Sequence, residues 1–282
     1  MKRFALALAG ALLMVGVLPG LASAQEIQVG ATTTALSAPT CPQEPTVTET
    51  ETDCAIVLTK TTAYETVSDG TANPDEITTP GVIDSFTLGI SGLVIQGASL
   101  SSELTTLDDN WGGPPSAQLT VLRPIASDSG VRYAVAAQSP IEELQPYLGG
   151  VVEFPLLAPI PVVRGEILAI TVPTWAPILN FGLSTTNFSY SQSHAKVLTA
   201  ATTPGGAKTS SCEKQATSTT GASVSLAQTS VGDSADYGCS FKGTRVEYSA
   251  LEVTAPTAKA SHRHKKAHRA AKAHRRARAH RR

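Results

Sequence analysis

The densest chemistry in this 282-residue chain lies near its end, where His262, His268, His274 and His280 recur every six residues. Each is followed by an arginine: Arg263, Arg269, Arg275 and Arg281. With Lys265, Lys266, Lys272, Arg276, Arg278 and Arg282 between and after them, the segment is a polycation. From Lys259 onward it holds 11 of the 22 Lys and Arg and no acidic residue. Such a row of permanent cations displaces condensed counterions from nucleic acids, teichoic-type polymers or acidic lipid surfaces. The five histidines add charge below about pH 6. Zinc, nickel or copper capture is the rival chemistry, although flexible His tracts bind metals promiscuously. A low-complexity tract can also simply be tolerated.

The remainder offers little that could catalyse. Residues 25–258 carry nine Lys and Arg against 23 Asp and Glu, a formal charge of −14. A serine hydrolase needs a general base, and the one histidine here is His194, in the polar stretch Ser191-Gln192-Ser193-His194, read as an exposed loop. Gly89-Ile90-Ser91-Gly92 falls short of a nucleophile elbow. Asp108, Asp109, Glu142, Glu143 and Glu166 are the carboxylates that could work as a glycosidase pair, but adjacent acids point to opposite faces of a strand. Asp108-Asp109-Asn110 could wrap calcium, yet lacks the EF-hand spacing and reads as a turn. Trp111, Tyr147, Trp175 and Tyr190 could stack against sugar rings, with core filling as the plainer alternative. The expectation is a non-enzymatic protein with no cofactor and no metal.

The chain's beginning says where this chemistry would operate. Lys2 and Arg3, the apolar run Phe4 to Leu18, and Ala22-Ser23-Ala24 have the pattern of a secretory signal peptide over residues 1–24. No later stretch approaches the roughly 20 apolar residues of a membrane span. Export predicts disulfides, with nearest-neighbour pairing as Cys41–Cys54 and Cys212–Cys239. It also makes chromosomal DNA a poor partner for the basic segment and a cell-envelope polyanion a better one. The body could bind a glycan or a protein.

The elements that must position these residues read as strands. Val, Thr and Ile recur in short runs between Gly, Pro, Asn and Asp clusters, which predicts an all-β domain. Expected strands are 46–52, 54–64, 82–90, 93–99, 117–122, 131–138, 151–157 and 166–172, with a closing strand within 240–253. Residues 184–235 read as loop-dominated. No helix of ten residues is expected after the signal; Pro140 to Leu148 could form a turn or two. The domain plan is an N-terminal linker over 25–40, a β-sandwich over 41–256 and a disordered basic tail over 257–282. The tail's six-residue period would spread its charge around every face of a helix, which opposes a membrane-lying helix.

Several of these strands carry recognisable motifs. They are Gly81-Val82-Ile83-Asp84-Ser85-Phe86, Leu119-Thr120-Val121-Leu122-Arg123-Pro124, Tyr133 to Ser139, Phe154-Pro155-Leu156, and Val162-Val163-Arg164-Gly165-Glu166-Ile167-Leu168-Ala169-Ile170. Together they cover about a third of the chain, and they resemble a group of uncharacterised secreted β-sandwich proteins of high-GC Gram-positive bacteria. The resemblance implies a jelly-roll-like antiparallel β-sandwich and carries no activity with it.

Overall fold

A computed structural model describes residues 24–30, 32–40, 56–93, 99–127, 131–194, 226–238 and 240–254. The expected signal peptide, both cysteine pairs and the basic tail lie outside these residues. The strands are β1 (Gln25–Val29), β2 (Leu58–Ser68), β3 (Thr71–Ala72), β4 (Gly81–Gly89), β5 (Ser116–Pro124), β6 (Arg132–Gln138), β7 (Glu142–Glu143) and β8 (Val151–Val162). They continue as β9 (Ile167–Ala176), β10 (Leu179–Phe181), β11 (Ser189–Gln192), β12 (Ser234–Asp236), β13 (Ser240–Lys242), β14 (Thr244–Val246) and β15 (Tyr248–Thr254). A helix, α1 (Leu100–Trp111), lies between β4 and β5.

The fold is all-β with antiparallel sheets. One sheet runs β1-β15-β4-β8, and a larger one runs β12-β6-β5-β9-β2-β11-β13, with β3 beside β2 and β7 beside β5. Alternation explains the core: Ile83, Phe86, Leu88 and Phe154 from the first sheet meet Leu119, Val121, Leu168 and Ile170 from the second in one buried cluster. Phe86 and Phe154 stack at 5.1 Å. A second apolar layer forms on the other face of the large sheet, where Ala235 and Tyr237 cover Tyr64, Leu122 and Ala169. Part of the region read as loop-dominated thus closes a face of the sheet.

Three expectations change. Residues 25–29 are not linker: their alternating Glu26-Ile27-Gln28-Val29 pairs antiparallel with residues 250–254 as β1. The single closing strand is three: Gly243, at φ +73°, turns the chain between the first two pieces, and Glu247 separates the second from the third. Its pieces pair with β11, β10 and β4 in turn.

The third change is α1, a helix of 12 residues where none of ten was expected, which begins just past the expected strand 93–99 and takes in the expected turn Asp108-Asp109-Asn110. Ser99 caps it, its Oγ accepting the Ser102 N–H at 3.2 Å, and Gly112 ends it at φ +87°. Leu104, Leu107 and Trp111 fall at helical spacing and pack on Ile56, Leu93 and Trp175. This is an amphipathic stripe with a cap at each end.

Strand β8 ends the smaller sheet among the described residues. It carries Pro155, Pro159 and Pro161, which offer no N–H to a further strand. The motif strands quoted above are β4, β5, β6, β8 and β9, the last two lying in different sheets and joined by a turn at residues 163–166. That turn is tied by Arg123 Nη2 and Nε donating to Glu166 Oε1 at 2.6 and 3.0 Å, and by the Val163 N–H donating to Glu166 Oε2 at 2.8 Å.

Candidate functional site

The residues picked from sequence are not assembled. Trp175 is buried, with Nε1 donating to Asp108 Oδ1 at 3.0 Å and to Gly113 O at 3.1 Å, and Trp111 is half-buried beside it. Tyr190 is buried and stacks on Phe241 at 5.0 Å. Tyr147 is the exposed one, set edge-on to Phe154 at 5.3 Å. Two of the four present no face to solvent, so these four form no aromatic platform.

The carboxylates are equally dispersed. Asp108 and Asp109 sit on α1, Glu142 and Glu143 on β7, and Glu166 is held by Arg123. His194, read as exposed, is buried, and its backbone bridges Asp236. Strand pairing carries it inward, which a polar composition does not reveal. Among the described residues no group of three His, Cys, Asp or Glu could hold a metal ion, and no helix is long and apolar enough to cross a membrane.

The structure instead gathers charge around β14 and β15. Arg245, Glu247 and Ser249 alternate with the core residues Val246, Tyr248 and Ala250, so their side chains belong on the face turned away from that core. Residues 32–40 run as a strap over that face. The Ser37 N–H donates to Glu247 Oε2 at 3.1 Å, Arg245 Nη1 donates to Ala35 O at 3.4 Å, and Asn180 Nδ2 donates to Glu247 Oε1 at 3.0 Å. Arg245 and Glu247, 3.8 Å apart, are consequently buried.

The strap is fastened at its start by Asp69. That carboxylate takes the Thr34 N–H at 2.7 Å and the hydroxyls of Thr34 and Thr33 at 2.7 and 3.0 Å. Slight burial works the other way, but these bonds, with Thr32, hold Asp69 well below the usual carboxylate range.

Where the strap crosses β4 it lies so close that a Cβ on Gly89 would collide with the Ser37 carbonyl. Gly89→Ala should therefore lift the strap while leaving the core intact, because the clash is with backbone that cannot rotate away. Hydrogen exchange at the Ser37 amide is expected to speed up by at least about tenfold. Unchanged protection there would show that the strap does not depend on this contact.

Behind Arg245 lies a second polar group in the interior. Glu65, from β2, accepts the Val246 N–H at Oε1. Asp75 Oδ2 accepts the Glu65 N–H at 2.6 Å and also meets the Tyr248 hydroxyl. That hydroxyl has a second acceptor, Leu168 O, at 3.0 Å. One phenolic proton cannot serve both, whereas a protonated Asp75 can donate to Tyr248 while Tyr248 donates to Leu168. Gly30 stands against the same group: a Cβ there would lie 2.7 Å from Asp75 Oδ1. Asp75 Oδ1 and Glu65 Oε2 are buried without a hydrogen-bond partner.

Three buried carboxyls thus face one buried guanidinium, and Glu247 is the one paired with it. Burial pushes Asp75 up to about 7, against the bonds from Tyr248 and Glu65 and the attraction of Arg245. Burial and the neighbouring Asp75 raise Glu65 well above the ordinary range, opposed by the Val246 N–H and Arg245.

Between the strap and the sheet is a hollow of about 420 Å³, lined by Gln28, Thr32–Leu36, Thr87, Val151 and Arg245. Its walls offer hydroxyls, an amide and a guanidinium, groups suited to binding. Glu65 and Asp75 do not line it. Sequence reading passed over Arg245 because an Arg-x-Glu-x-Ser alternation looks like a solvent face. The signal that could have marked it is the threonine-rich run 32–34, whose role is visible only once the chain ends are brought together. No family model, curated protein or solved structure matches this chain.

Proposed function

We propose that the chain is an exported, non-enzymatic binding protein held at the cell envelope by its basic C-terminal segment. The observation that carries this reading is the separation of charge: 11 Lys and Arg and no acid after residue 258, against a formal −14 for residues 25–258. A polycation joined to an acidic body attracts polyanions at one place and repels them elsewhere. The signal-like residues 1–24 support export and favour an envelope polymer over chromosomal DNA. The motifs of β4, β5, β6, β8 and β9 support a jelly-roll-like sandwich akin to the secreted proteins they resemble.

The test compares the full chain with a chain ending at Thr257, both applied to purified cell envelope across a salt series. Among the described residues the paired strands end at Thr254, and the truncation removes none of them. The full chain is expected to be retained at low salt and released steeply as salt rises, since each neutralised phosphate contributes to the slope. Equal retention of both chains at low salt would refute the anchor.

A further inference from the structure

Two independent boundaries meet at one peptide bond. The small-residue pattern Ala22-Ser23-Ala24 predicts cleavage after Ala24. The folded body begins at the next residue, Gln25, which is also the first residue of β1. We propose that Gln25 is the first residue of the exported chain and a modification site, its side chain closing on its own α-nitrogen to leave a pyroglutamyl end. This rests on the export reading, yet it can fail while that reading stands.

The chemistry needs no second reactant. A glutamine at a chain end can bring its α-nitrogen onto its own Cδ through a five-membered ring. α-Amines titrate at about 8, so near neutral pH a share of chain ends is uncharged and nucleophilic. The nitrogen attacks Cδ, the Cδ–Nε2 bond breaks, and Nε2 leaves as ammonia, carrying the proton that the amine gives up. Nothing is oxidised or reduced, and the end loses its positive charge. Before cleavage the same nitrogen is the amide joined to Ala24, which is no nucleophile, so the ring forms only on the exported chain.

The fold permits the ring. Gln25 is exposed, and its backbone pairs with Thr254 through the carbonyl, which accepts from Thr254 Oγ1 at 3.1 Å. Ring closure uses the nitrogen, Cα and the side chain and leaves that carbonyl untouched, so β1 keeps its register. What changes is the strand's exposure to exopeptidases that require a free α-amine, because trimming concentrates at chain ends. β1 has only five residues, and its loss would make β15 an edge of the smaller sheet. A closed end protects a strand that has no linker in front of it.

The experiment expresses the full chain, residues 1–24 included, in a secreting host and recovers it from outside the cells. Free amines are labelled by reductive methylation before digestion, so that a ring closed during handling is told apart, and the N-terminal peptide is read by mass spectrometry. Gln25→Ala is carried in parallel; it keeps the cleavage pattern and the exposed position but cannot cyclise. The natural chain should begin at Gln25, unlabelled at its nitrogen and lighter by one ammonia in most copies, whereas Gln25→Ala should be labelled there. An exported chain that begins at Gln25 with a labelled amine, or that begins at another residue, overturns the modification alone. A block that persists in Gln25→Ala also overturns it, since the glutamine side chain is then not its source. A chain retained with residues 1–24 attached overturns the modification and the export reading together.

Discussion

Unfolding is expected to become easier as pH rises from about 4 to 7, and Asp75→Asn to remove most of that slope. Asp75 is wholly buried and accepts the Glu65 N–H, while its neighbour Tyr248 needs a second donor to satisfy both oxygens within reach. The folded state therefore holds Asp75 protonated up to about 7, against an ordinary value of 3.8. With the folded value raised, the native chain binds more protons than the unfolded one between those limits. Stability from this group is full below about pH 4 and is lost progressively as pH climbs to about 7. One proton gives a slope of up to about 1.4 kcal/mol per pH unit, on the order of 4 kcal/mol across the window. Glu65 is raised as well and acts in the same direction. Asp69 is depressed, so its contribution is lost only at acid pH, below this range.

Asparagine keeps an acceptor for the Glu65 N–H without a titrating proton. Denaturant midpoints measured at half-unit pH steps for both chains decide the matter. A flat or rising profile in the natural chain, or an unchanged slope in Asp75→Asn, would show that Asp75 is not held neutral.

Trp175→Ala should destabilise the fold by about 3–5 kcal/mol, the range for losing a large buried aromatic side chain. The indole fills the space between α1 and β9 together with Ile56, Leu93, Leu104 and Leu107. Trp175→Phe separates packing from polarity: it keeps a ring but abandons the bonds to Asp108 and Gly113. Its cost should be about 1–3 kcal/mol, set by leaving those acceptors unfilled. Chemical denaturation with helix content followed separately would show α1 loosening first in Trp175→Ala. A loss below about 1 kcal/mol in Trp175→Ala would mean that the residue is not the keystone of this layer.

Strands with one buried face were legible because their alternation is strong. Gly81–Gly89, Ser116–Pro124 and the turn through Arg164-Gly165 all stand where the residue pattern puts them. The helix α1 was hidden by its own C-terminal residues: Asp108-Asp109-Asn110 followed by Gly112-Gly113-Pro114-Pro115 has turn composition, and its stripe is short, with no fully buried residue. Alternation also misleads at Arg245 and Glu247. It assigns them to the face opposite the core, correctly, but cannot tell that residues 32–40 cover that face. Asp75 has the same difficulty, since Asn73-Pro74-Asp75 looks like an exposed turn and is buried by pairing partners from four separate stretches of chain. Trp175 and Tyr190 were chosen for their type, and type alone does not distinguish a ring offered to a ligand from one that fills a core.

The pairing of β1 with β15 has a consequence for when the molecule can fold. Gln25 and Thr254, 229 residues apart, are joined in one ladder, with Thr254 Oγ1 donating to Gln25 O at 3.1 Å. Because β15 lies between β1 and β4, neither neighbour completes the smaller sheet until the final strand has been made. A chain of such high contact order folds slowly, and it does so after synthesis instead of during it. Until then β1 and the edge of β4 that β15 covers stand without a partner strand.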